Sequence, residues 1–148
     1  MNAKESTLTS FYTPREVMNG IYKTLTDMGF KTGNILEPSA GVGNFIGNMP
    51  SEIRNSKVYG VEKDSLSGRI ARELYPEANI QIKGFEETNF SNNFFDLVIG
   101  NVPFGDFKVN DREYNRNNFL IHDYFFAKSI DKVRNGAVSY THLRAHET

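Results

Sequence analysis

The chain has 148 residues, 39% hydrophobic and 24% charged, which suffices for one domain with a buried core and leaves little room for a second. Seventeen basic and eighteen acidic residues give a net charge of −1, so any nucleic-acid binding must use a local patch or a part outside this sequence. The absence of cysteine excludes disulfide scaffolds, Cys-ligated zinc, iron–sulfur clusters and thiolate nucleophiles.

The first predicted element is a helix that begins at Thr13. Thr13 at the N-cap, Pro14 at the first helical position and Glu16 at the third form a capping box with a preset first turn. Gly29 is the expected stop. The apolar residues at helical spacing between these limits are Val17, Ile21, Leu25 and Met28.

Strands and helices alternate over the next part of the chain. Strands are predicted at 34–37, 57–62, 79–83 and 95–99. The helices predicted between the first three strands are one through Phe45 and Ile46 that ends before Pro50, and one marked by Leu66, Ile70 and Leu74 that ends before Pro76. This alternation is typical of an α/β fold, a doubly wound and mostly parallel sheet with helices on both faces.

The last third is predicted to hold a long loop, a helix and the start of a fifth strand. Residues 101–118 lack periodicity, and long loops inside compact domains are usually functional or disordered. A helix follows, with Leu120, Tyr124, Ala127, Ile130 and Val133 at helical spacing. Gly136 and Ala137 begin the fifth strand.

The final eleven residues, 138–148, resemble the translation of a transposase adapter used to prepare sequencing libraries. The alternative is a native polar tail with a strand-like start. The adapter interpretation gives a flexible N-terminus over 1–10, a core over 11–137 and a non-native tail over 138–148. It also implies that the fold is truncated at about the fifth strand and that the fragment as given is inactive, and it leaves His142 and His146 without a functional role.

A glycine loop connects the first strand to a helix. It reads Glu37-Pro38-Ser39-Ala40-Gly41-Val42-Gly43-Asn44-Phe45. Glycines let a ligand approach the backbone closely beside the free N–H groups of a helix N-terminus. The next glycine is Gly47, which does not fit the dinucleotide fingerprint GxGxxG, and the acidic Glu37 favours a cationic ligand over a pyrophosphate. Taken alone, two glycines in such a loop more often indicate a simple turn.

An acidic residue, Glu62, ends the second strand roughly twenty residues after Gly41. In doubly wound sheets a carboxylate at this position accepts hydrogen bonds from ribose hydroxyl groups. The alternative is a solvent-facing carboxylate at a strand end. The loop and Glu62 together favour a ligand that contains a nucleoside.

The third motif is Asn101-Val102-Pro103-Phe104-Gly105, directly after the apolar fourth strand. Ligand sites of open α/β sheets lie at the carboxyl ends of strands, so this turn is expected to face the glycine loop. An amide, a backbone carbonyl and an aromatic ring suit a planar base with an exocyclic amino group. A rigid turn with a buried Phe is the alternative.

In this order the motifs resemble the S-adenosylmethionine-dependent N6-adenine DNA methyltransferases, over nearly all of 10–137. The resemblance implies a Rossmann-like fold, S-adenosyl-L-methionine as cofactor, and methyl transfer to the N6 amino group of adenine. The implied cofactor-binding residues are Phe11, Tyr12, Thr13, Pro14, Glu37, Pro38, Ser39, Ala40, Gly41, Gly43, Phe45, Glu62, Lys63, Phe85, Glu86 and Asn101. The implied catalytic residues are Asn101, Val102, Pro103 and Phe104, and no metal is implied.

Two positions depart from the family pattern. Val102 replaces the usual first Pro, although the expected role there belongs to the backbone carbonyl. After the third strand, where many relatives have an Asp for the amino group of the cofactor adenine, this chain has Gly84-Phe85-Glu86-Glu87. Phe85 is expected to pack against the adenine ring, and Glu86 or backbone groups to orient it.

The implied mechanism needs no covalent intermediate. The side-chain oxygen of Asn101 and the Val102 carbonyl accept the two amino hydrogens, and Phe104 stacks on the flipped base. Cytosine C5 methylation needs a Cys nucleophile, which this chain lacks. By resemblance, Asp123 and Tyr124 help to close the cofactor pocket.

DNA is the expected partner. Lys108, Arg112 and Arg116 are candidates for phosphate contacts, with a solvated loop as the alternative. The sequence around the third motif is most similar to methylase domains of large helicase–methylase polypeptides of phages and mobile elements, so helicase domains are further candidate partners. No apolar run reaches a membrane span and no signal peptide is present, so the expected location is the cytoplasm. Methylation of an RNA base or a protein glutamine amide, or cofactor binding without activity, are the alternative functions.

Overall fold

A computed structural model describes residues 14–53, 55–103 and 105–143. Within these ranges five parallel strands form one sheet with the order β3-β2-β1-β4-β5. The strands are β1 (Asn34–Glu37), β2 (Lys57–Glu62), β3 (Asn79–Ile82), β4 (Phe95–Val102) and β5 (Val133–Leu143). The helices are α1 (Arg15–Asp27), α2 (Asn44–Gly47), α3 (Ser65–Leu74) and α4 (Ile121–Lys132), with 3₁₀ turns at Phe85–Glu87 and Asn115–Asn117. The predicted α/β class is confirmed.

The direction of chain progression reverses between β1 and β4. From β1 the chain proceeds to β2 and β3 on one side, and β4 returns to the other side of β1 with Leu36 opposite Val98. In such sheets ligands bind in the crevice at the carboxyl ends of the two strands where the order reverses. Glu37 ends β1 and Asn101 lies near the end of β4, so the topology brings two of the predicted site residues to this crevice.

Alternating residues of the central strands supply two hydrophobic clusters, one on each face. Ile35, Leu97 and Ile99 pack with α1 and with the chain from Phe45 to Ile53. Leu36 and Val98 face the other way and pack with Phe85 and with α4. β4 has no exposed residue, which explains the apolar run from Leu97 to Ile99 at its centre.

Helix α1 begins at Arg15, and Pro14 is its N-cap residue. The Pro14 carbonyl accepts hydrogen bonds from the N–H groups of Val17 and Met18, both at 3.1 Å. Thr13 lies outside the described residues, and the predicted positions of Pro14 and Glu16 were wrong by one residue, because Pro14 is the N-cap and Glu16 is the second residue of the helix. The prediction of the buried face was partly wrong: Val17 and Met28 are 36% and 64% exposed. Met18, Ile21, Tyr22 and Leu25 form the buried face.

Helix α3 buries small residues rather than its large apolar ones. Leu66, Ile70 and Leu74, on which the helix was predicted, are 60%, 39% and 57% exposed. The helix lies so close to β3 that an added Cβ on Gly68 would come within 2.8 Å of Ile82 Cγ1. This close approach selects Ser67, Gly68 and Ala71 for the buried face, so the apolar spacing predicted the right element and the wrong face.

The C-terminal elements also differ in detail from their prediction. Ile130 on α4 is 54% exposed, whereas Lys128 and Lys132 on the same helix are buried. Strand β5 begins three residues earlier than expected and extends to Leu143, with a register shift between the pair of Phe95 with Val133 and the pair of Leu97 with Val138. From Val138 to Leu143 each residue of β5 has a partner on the parallel strand β4, which explains why these residues continue the strand. In the described parts of the chain, none of the helices is long and apolar enough to span a membrane.

Candidate active site

A cavity of about 770 Å³ opens at the carboxyl ends of β1, β2 and β4. This volume lies within the range of small-molecule sites in proteins. The predicted site residues that line it are Glu37, Pro38, Ser39, Ala40, Gly41, Phe45, Glu62, Lys63, Phe85, Glu86, Asn101 and Pro103. The three sequence motifs therefore meet at a single cavity.

Three predicted site residues do not line the cavity. Pro14 is exposed and caps α1. Gly43 is buried beneath Tyr75, and the side chain of Val102 packs in the hydrophobic cluster on the α4 side of the sheet. The predicted role of Val102 belongs to its main-chain carbonyl and stays a prediction. Phe11, Tyr12, Thr13 and Phe104 lie outside the described residues.

The glycine loop is held in place by main-chain hydrogen bonds. Ala40 N–H donates to the Val61 carbonyl at 2.8 Å, which ties the loop to β2. Gly41 and Gly43 have φ values of +60° and +92°, a region that favours glycine. Gly43 meets a second constraint, because a Cβ there would lie 2.6 Å from Tyr75 Cε2. Both glycines are therefore required by the turn itself.

Glu62 connects the loop to the end of β2. One carboxylate oxygen accepts from Gly41 N–H at 2.7 Å, and the other accepts from Asp64 N–H at 2.8 Å. Burial raises the pKa of Glu62, and these main-chain hydrogen bonds act against the rise. A carboxylate has about four acceptor positions, and the main-chain N–H groups of Gly41, Lys63 and Asp64 occupy three of them. The side chain therefore orders the loop and retains the capacity to accept from a ligand hydroxyl group.

Glu37 is the most unusual charge in the cavity. Its side chain is 2% exposed, and Oε1 has no hydrogen-bond partner among the described residues. Burial, followed by repulsion from Glu62, holds the pKa of Glu37 well above its usual range. A buried carboxylate oxygen without a partner is costly unless a donor or a cation reaches it. The cavity is thus suited to a positively charged ligand group, as the sequence predicts.

Asn101 lies across the reversal point from Glu37. It is 7% exposed and lines the cavity. The two strand ends are in contact, since a Cβ on the neighbouring Gly100 would lie 3.5 Å from Glu37 Cγ. The predicted cation site and the predicted amino-group site are consequently adjacent.

The connection after β3 explains one departure from the family pattern. Glu87 caps the 3₁₀ turn, its Oε1 accepting from Gly84 N–H at 3.1 Å. The Glu86 carboxylate folds over Gly84, so closely that a Cβ on Gly84 would lie 2.3–2.6 Å from its carboxylate atoms. A carboxylate therefore occupies the space where a side chain at position 84 would begin, and Glu86 lines the cavity.

A buried lysine, which sequence reasoning missed, joins three parts of the chain. Lys128 Nζ donates to the Phe85 carbonyl at 2.9 Å and to Asp111 Oδ2 at 2.8 Å, and lies 3.2 Å from the Tyr124 hydroxyl. Tyr124 donates to the same Asp111 oxygen at 2.5 Å. Burial acts to raise the pKa of Asp111, but the hydrogen bonds from Lys128 and Tyr124 outweigh it and hold that pKa below its usual value.

This cluster corrects the prediction that Asp123 and Tyr124 help to close the cofactor pocket. Neither residue lines the cavity, because Tyr124 points to Asp111 and thereby fixes the long loop before α4. The sequence carries one weak signal for the cluster, the spacing of four between Tyr124 and Lys128 on one helix face.

The loop between β4 and α4, together with α4, adds an apolar wall that was also missed. Its members are Phe107 and Val109 from the loop and Ile121 and Phe125 from the helix. The other lining residues that were not predicted are Val42, Asn44, Asp64, Leu66, Ser67, Ile70, Lys83 and Gly84. Lys108, Arg112 and Arg116 are exposed in the same loop, and Lys108 donates to Asn118 Oδ1 at 2.8 Å.

Comparisons with known proteins agree with this architecture. The chain is 35% identical over 134 residues to the Defense against restriction protein B of Escherichia phage P1. These residues are 87% of this chain and 6% of that protein. It is 35% identical over 94 residues to the Type II methyltransferase M.CvrRI of Paramecium bursaria Chlorella virus XZ-6E, covering 64% of this chain and 24% of the relative. The chain thus spans a small part of either relative.

A solved structure shows the same fold at low sequence identity. The S-adenosylmethionine-dependent methyltransferase of Clostridium acetobutylicum superposes with a TM-score of 0.65 at 12% identity, over 95% of this chain and 54% of that one. The family model described as N-6 DNA Methylase matches residues 1–141. The chain therefore belongs to the N-6 DNA methylase family, as the order of its three motifs predicts.

Proposed function

We propose that this chain is the cofactor-binding and catalytic core of an enzyme that transfers a methyl group from S-adenosyl-L-methionine to the N6 amino group of adenine in DNA. The observation that carries the proposal is the placement of Glu37, with its unpartnered buried oxygen, beside Asn101 at one cavity. The cation site suits a positively charged methyl donor. The adjacent amide oxygen can accept a hydrogen bond from an amino group that receives the methyl.

The cavity residues fit the cofactor part by part. Glu37 provides a carboxylate for its positive charge, and Glu62 provides an acceptor for ribose hydroxyl groups. Glu86 lies over Gly84 in a position to accept from the adenine amino group, beside the ring of Phe85. When bound, S-adenosyl-L-methionine supplies an electrophilic methyl group on a sulfonium centre.

Asn101 acts on the nitrogen that receives the methyl group. The lone pair of an adenine amino group is delocalised into the ring, so the nitrogen is a poor nucleophile until its hydrogens are held out of the ring plane. Asn101 accepts one hydrogen and the Val102 carbonyl accepts the other, while Phe104 stacks on the base. Most of the rate then comes from positioning and preorganised acceptors rather than from covalent catalysis.

The chain acts on DNA as part of a larger polypeptide. Residues 11–137 are its methyltransferase core and 138–148 a non-native tail. Exposed Lys108, Arg112 and Arg116 contact phosphates next to the cavity, and helicase domains of the same polypeptide are further partners. The relatives, a phage protein named for defence against restriction and a viral type II methyltransferase, favour a phage or mobile-element enzyme that works in the cytoplasm.

Cofactor binding and methyl transfer by the full-length polypeptide test the proposal with an Asn101→Ala variant. We expect calorimetry to show that the variant still binds S-adenosyl-L-methionine, because Glu37 and Glu62 are unchanged. Transfer of tritiated methyl groups to unmethylated DNA should fall by about 10²–10³, the effect of losing one preorganised hydrogen-bonding group. Asn79→Ala is the matched control, because Asn79 is an exposed residue at the start of β3, far from the strand ends that form the cavity.

The same assay separates the alternative functions. If methyl groups are transferred to RNA or to a glutamine peptide but not to DNA, the proposed DNA substrate is wrong and the methylated molecule is the substrate. Cofactor binding without transfer to any of them makes the chain a binding module. An Asn101→Ala variant with the wild-type rate refutes the catalytic assignment.

A further inference from the structure

Gly47 is the glycine that does not fit the dinucleotide fingerprint, and the structure explains it by a contact with Tyr75. It is the last residue of α2 and has no positive φ, so its backbone would accept a side chain. Glycine is also among the poorest helix formers. The reason for a glycine here lies outside the helix, because a Cβ on Gly47 would collide with the Tyr75 hydroxyl oxygen.

The Tyr75 ring lies along one side of α2, from Gly43 at its start to Gly47 at its end. A Cβ on Gly43 would lie 2.6 Å from Tyr75 Cε2, and a Cβ on Gly47 would lie 3.0 Å from Cζ. Positions four residues apart face the same side of a helix. The two missing side chains therefore form a groove, and the ring fills it.

Tyr75 is itself fixed to the end of α3. Its N–H donates to the Ala71 carbonyl at 2.9 Å, and its carbonyl accepts from Ala78 N–H at 3.0 Å. Helix α3 in turn lies against β3 through the close approach of Gly68 to Ile82. The ring is thus attached to a part of the fold that does not belong to the cavity loop.

Helix α2 depends on such contacts because it has a single turn, and an isolated turn of helix is unstable in water. Its first two residues, Asn44 and Phe45, line the cavity. Tyr22 of α1 donates from its hydroxyl group to the Phe45 carbonyl at 2.5 Å. Tyr75 does not line the cavity, so it acts on a ligand only through α2.

We infer that Tyr75 is a positioning residue for S-adenosyl-L-methionine, because its ring holds α2 where Asn44 and Phe45 form part of the cavity wall. This inference rests on the cofactor part of the proposed function and does not depend on the DNA substrate. Without the ring, α2 has more than one position, and the cofactor binds only the position that completes the cavity. The apparent affinity then falls in proportion to the occupancy of that position.

The test compares cofactor affinity with turnover in the full-length polypeptide. Calorimetry gives the Kd for S-adenosylhomocysteine, and methyl transfer gives the KM for S-adenosyl-L-methionine and the kcat at saturating cofactor. We expect Tyr75→Ala to raise the Kd and the KM by about 5- to 150-fold, the fold-change that corresponds to ordering two side chains on binding. The kcat should change by less than about twofold, because saturating cofactor restores the bound position of α2. Tyr75→Phe keeps the ring and should keep the wild-type Kd.

Gly47→Ala provides a variant that displaces the ring without removing it. Its Cβ would collide with the Tyr75 hydroxyl oxygen, whereas the next nearest atom, Cζ, lies at 3.0 Å. We therefore expect Gly47→Ala to raise the Kd by itself and to have little effect together with Tyr75→Phe, which removes the hydroxyl group. This pair of variants tests the inference even if Tyr75→Ala does not fold.

Tyr59→Ala is the matched control for a loss of stability. Tyr59 is half-buried like Tyr75, packs against Phe90, Phe94 and Phe95, and does not line the cavity. We expect Tyr59→Ala to lower the melting temperature and to leave the Kd for S-adenosylhomocysteine unchanged. The comparison separates a weakened fold from a displaced cavity wall.

Four outcomes overturn the inference. These are an unchanged Kd in folded Tyr75→Ala, an equal rise of the Kd in Tyr59→Ala, an effect of Gly47→Ala that Tyr75→Phe does not relieve, and a fall in kcat with an unchanged KM for the cofactor.

The same measurements distinguish a failure of this inference from a failure of the proposed function. If Asn101→Ala abolishes methyl transfer and Tyr75→Ala leaves the Kd unchanged, the proposed function stands and this inference fails. If the Tyr75 and Gly47 variants change the Kd as expected but the wild type transfers no methyl group to DNA, this inference stands and the proposed substrate is wrong. A folded wild type that does not bind S-adenosylhomocysteine refutes both.

Discussion

At the glycine-loop end of the cavity, main-chain groups provide most of the structure. Ala40 N–H binds the Val61 carbonyl and Gly41 N–H binds Glu62, in a turn set by two left-handed glycines. The loop after β4, at the other end, is fixed by side chains instead. Lys128 reaches Asp111, 17 positions away, and the Phe85 carbonyl, 43 positions away. One end depends on backbone conformation, and the other depends on a buried charge that needs its partners.

The first prediction concerns the buried charge at the second end, where the largest effect is expected. Lys128→Met leaves Asp111 in a nearly dry site without its cation, since the two side chains are 3% and 10% exposed. Breaking a buried pair by removing one partner costs about 3–5 kcal/mol of unfolding free energy. Chemical denaturation checks this value. Lys132→Met is the control, because Lys132 is also buried but donates to the neutral Asn92 at 2.8 Å, and its loss should cost less, about 1 kcal/mol.

Acid provides an independent check of the same pair. The pKa of Asp111 is lowered in the folded state, so the stability it contributes is present above the ordinary carboxyl pKa and is lost as the pH falls through the lowered value. The difference between wild type and Lys128→Met should therefore shrink below about pH 4. A difference that is constant with pH, or equal losses in the two lysine variants, would contradict the role of the ion pair.

The same contrast explains what the sequence could predict. The glycine loop, Glu62 and Asn101 were found because their functions depend on position at a strand end, and a strand end is visible as an apolar run followed by turn residues. Lys128 was missed because lysines on helices are usually solvated, and its burial arises only when Asp111 and Phe85 come together from distant parts of the chain. The buried face of α3 was predicted wrongly because the helix lies against Ile82 through the side-chain-free Gly68. The spacing of apolar residues carries no information about such a close approach.

Glu37→Gln tests whether the first end is built for a cation. The variant should bind S-adenosyl-L-methionine about 10- to 150-fold more weakly, which corresponds to losing a charge-assisted hydrogen bond of about 1.5–3 kcal/mol. Without ligand it should be more stable than the wild type near neutral pH, because it removes a buried carboxylate that has no partner. Calorimetry and denaturation measure the two opposite changes. Weaker binding with unchanged or lower stability would contradict this view of Glu37.

The pH dependence of Glu37 has the opposite sign to that of Asp111. Its pKa is raised in the folded state, so the stabilising effect of the Glu37→Gln change should grow as the pH rises above the ordinary carboxyl pKa. A bound cation favours the ionised carboxylate and therefore lowers the pKa of Glu37. Cofactor binding should release a proton at pH values between the pKa of Glu37 in the complex and its raised pKa in the ligand-free protein. Binding enthalpies in buffers of different ionisation heat detect that proton in the wild type, and it should be absent in Glu37→Gln.

The smallest expected effects concern the backbone of the glycine loop, and three alanine variants separate their causes. Gly41→Ala introduces a side chain at φ +60° with no atom within 4 Å of the new Cβ, so it should cost only the left-handed penalty, about 1–2 kcal/mol. Gly43→Ala adds to that penalty a contact of 2.6 Å with Tyr75 and should cost more. Gly20→Ala, in the open interior of α1, should stabilise the protein by about 0.5–1 kcal/mol. If Gly41→Ala and Gly43→Ala cost the same, the contact with Tyr75 does not restrain the loop, and backbone conformation alone determines its shape.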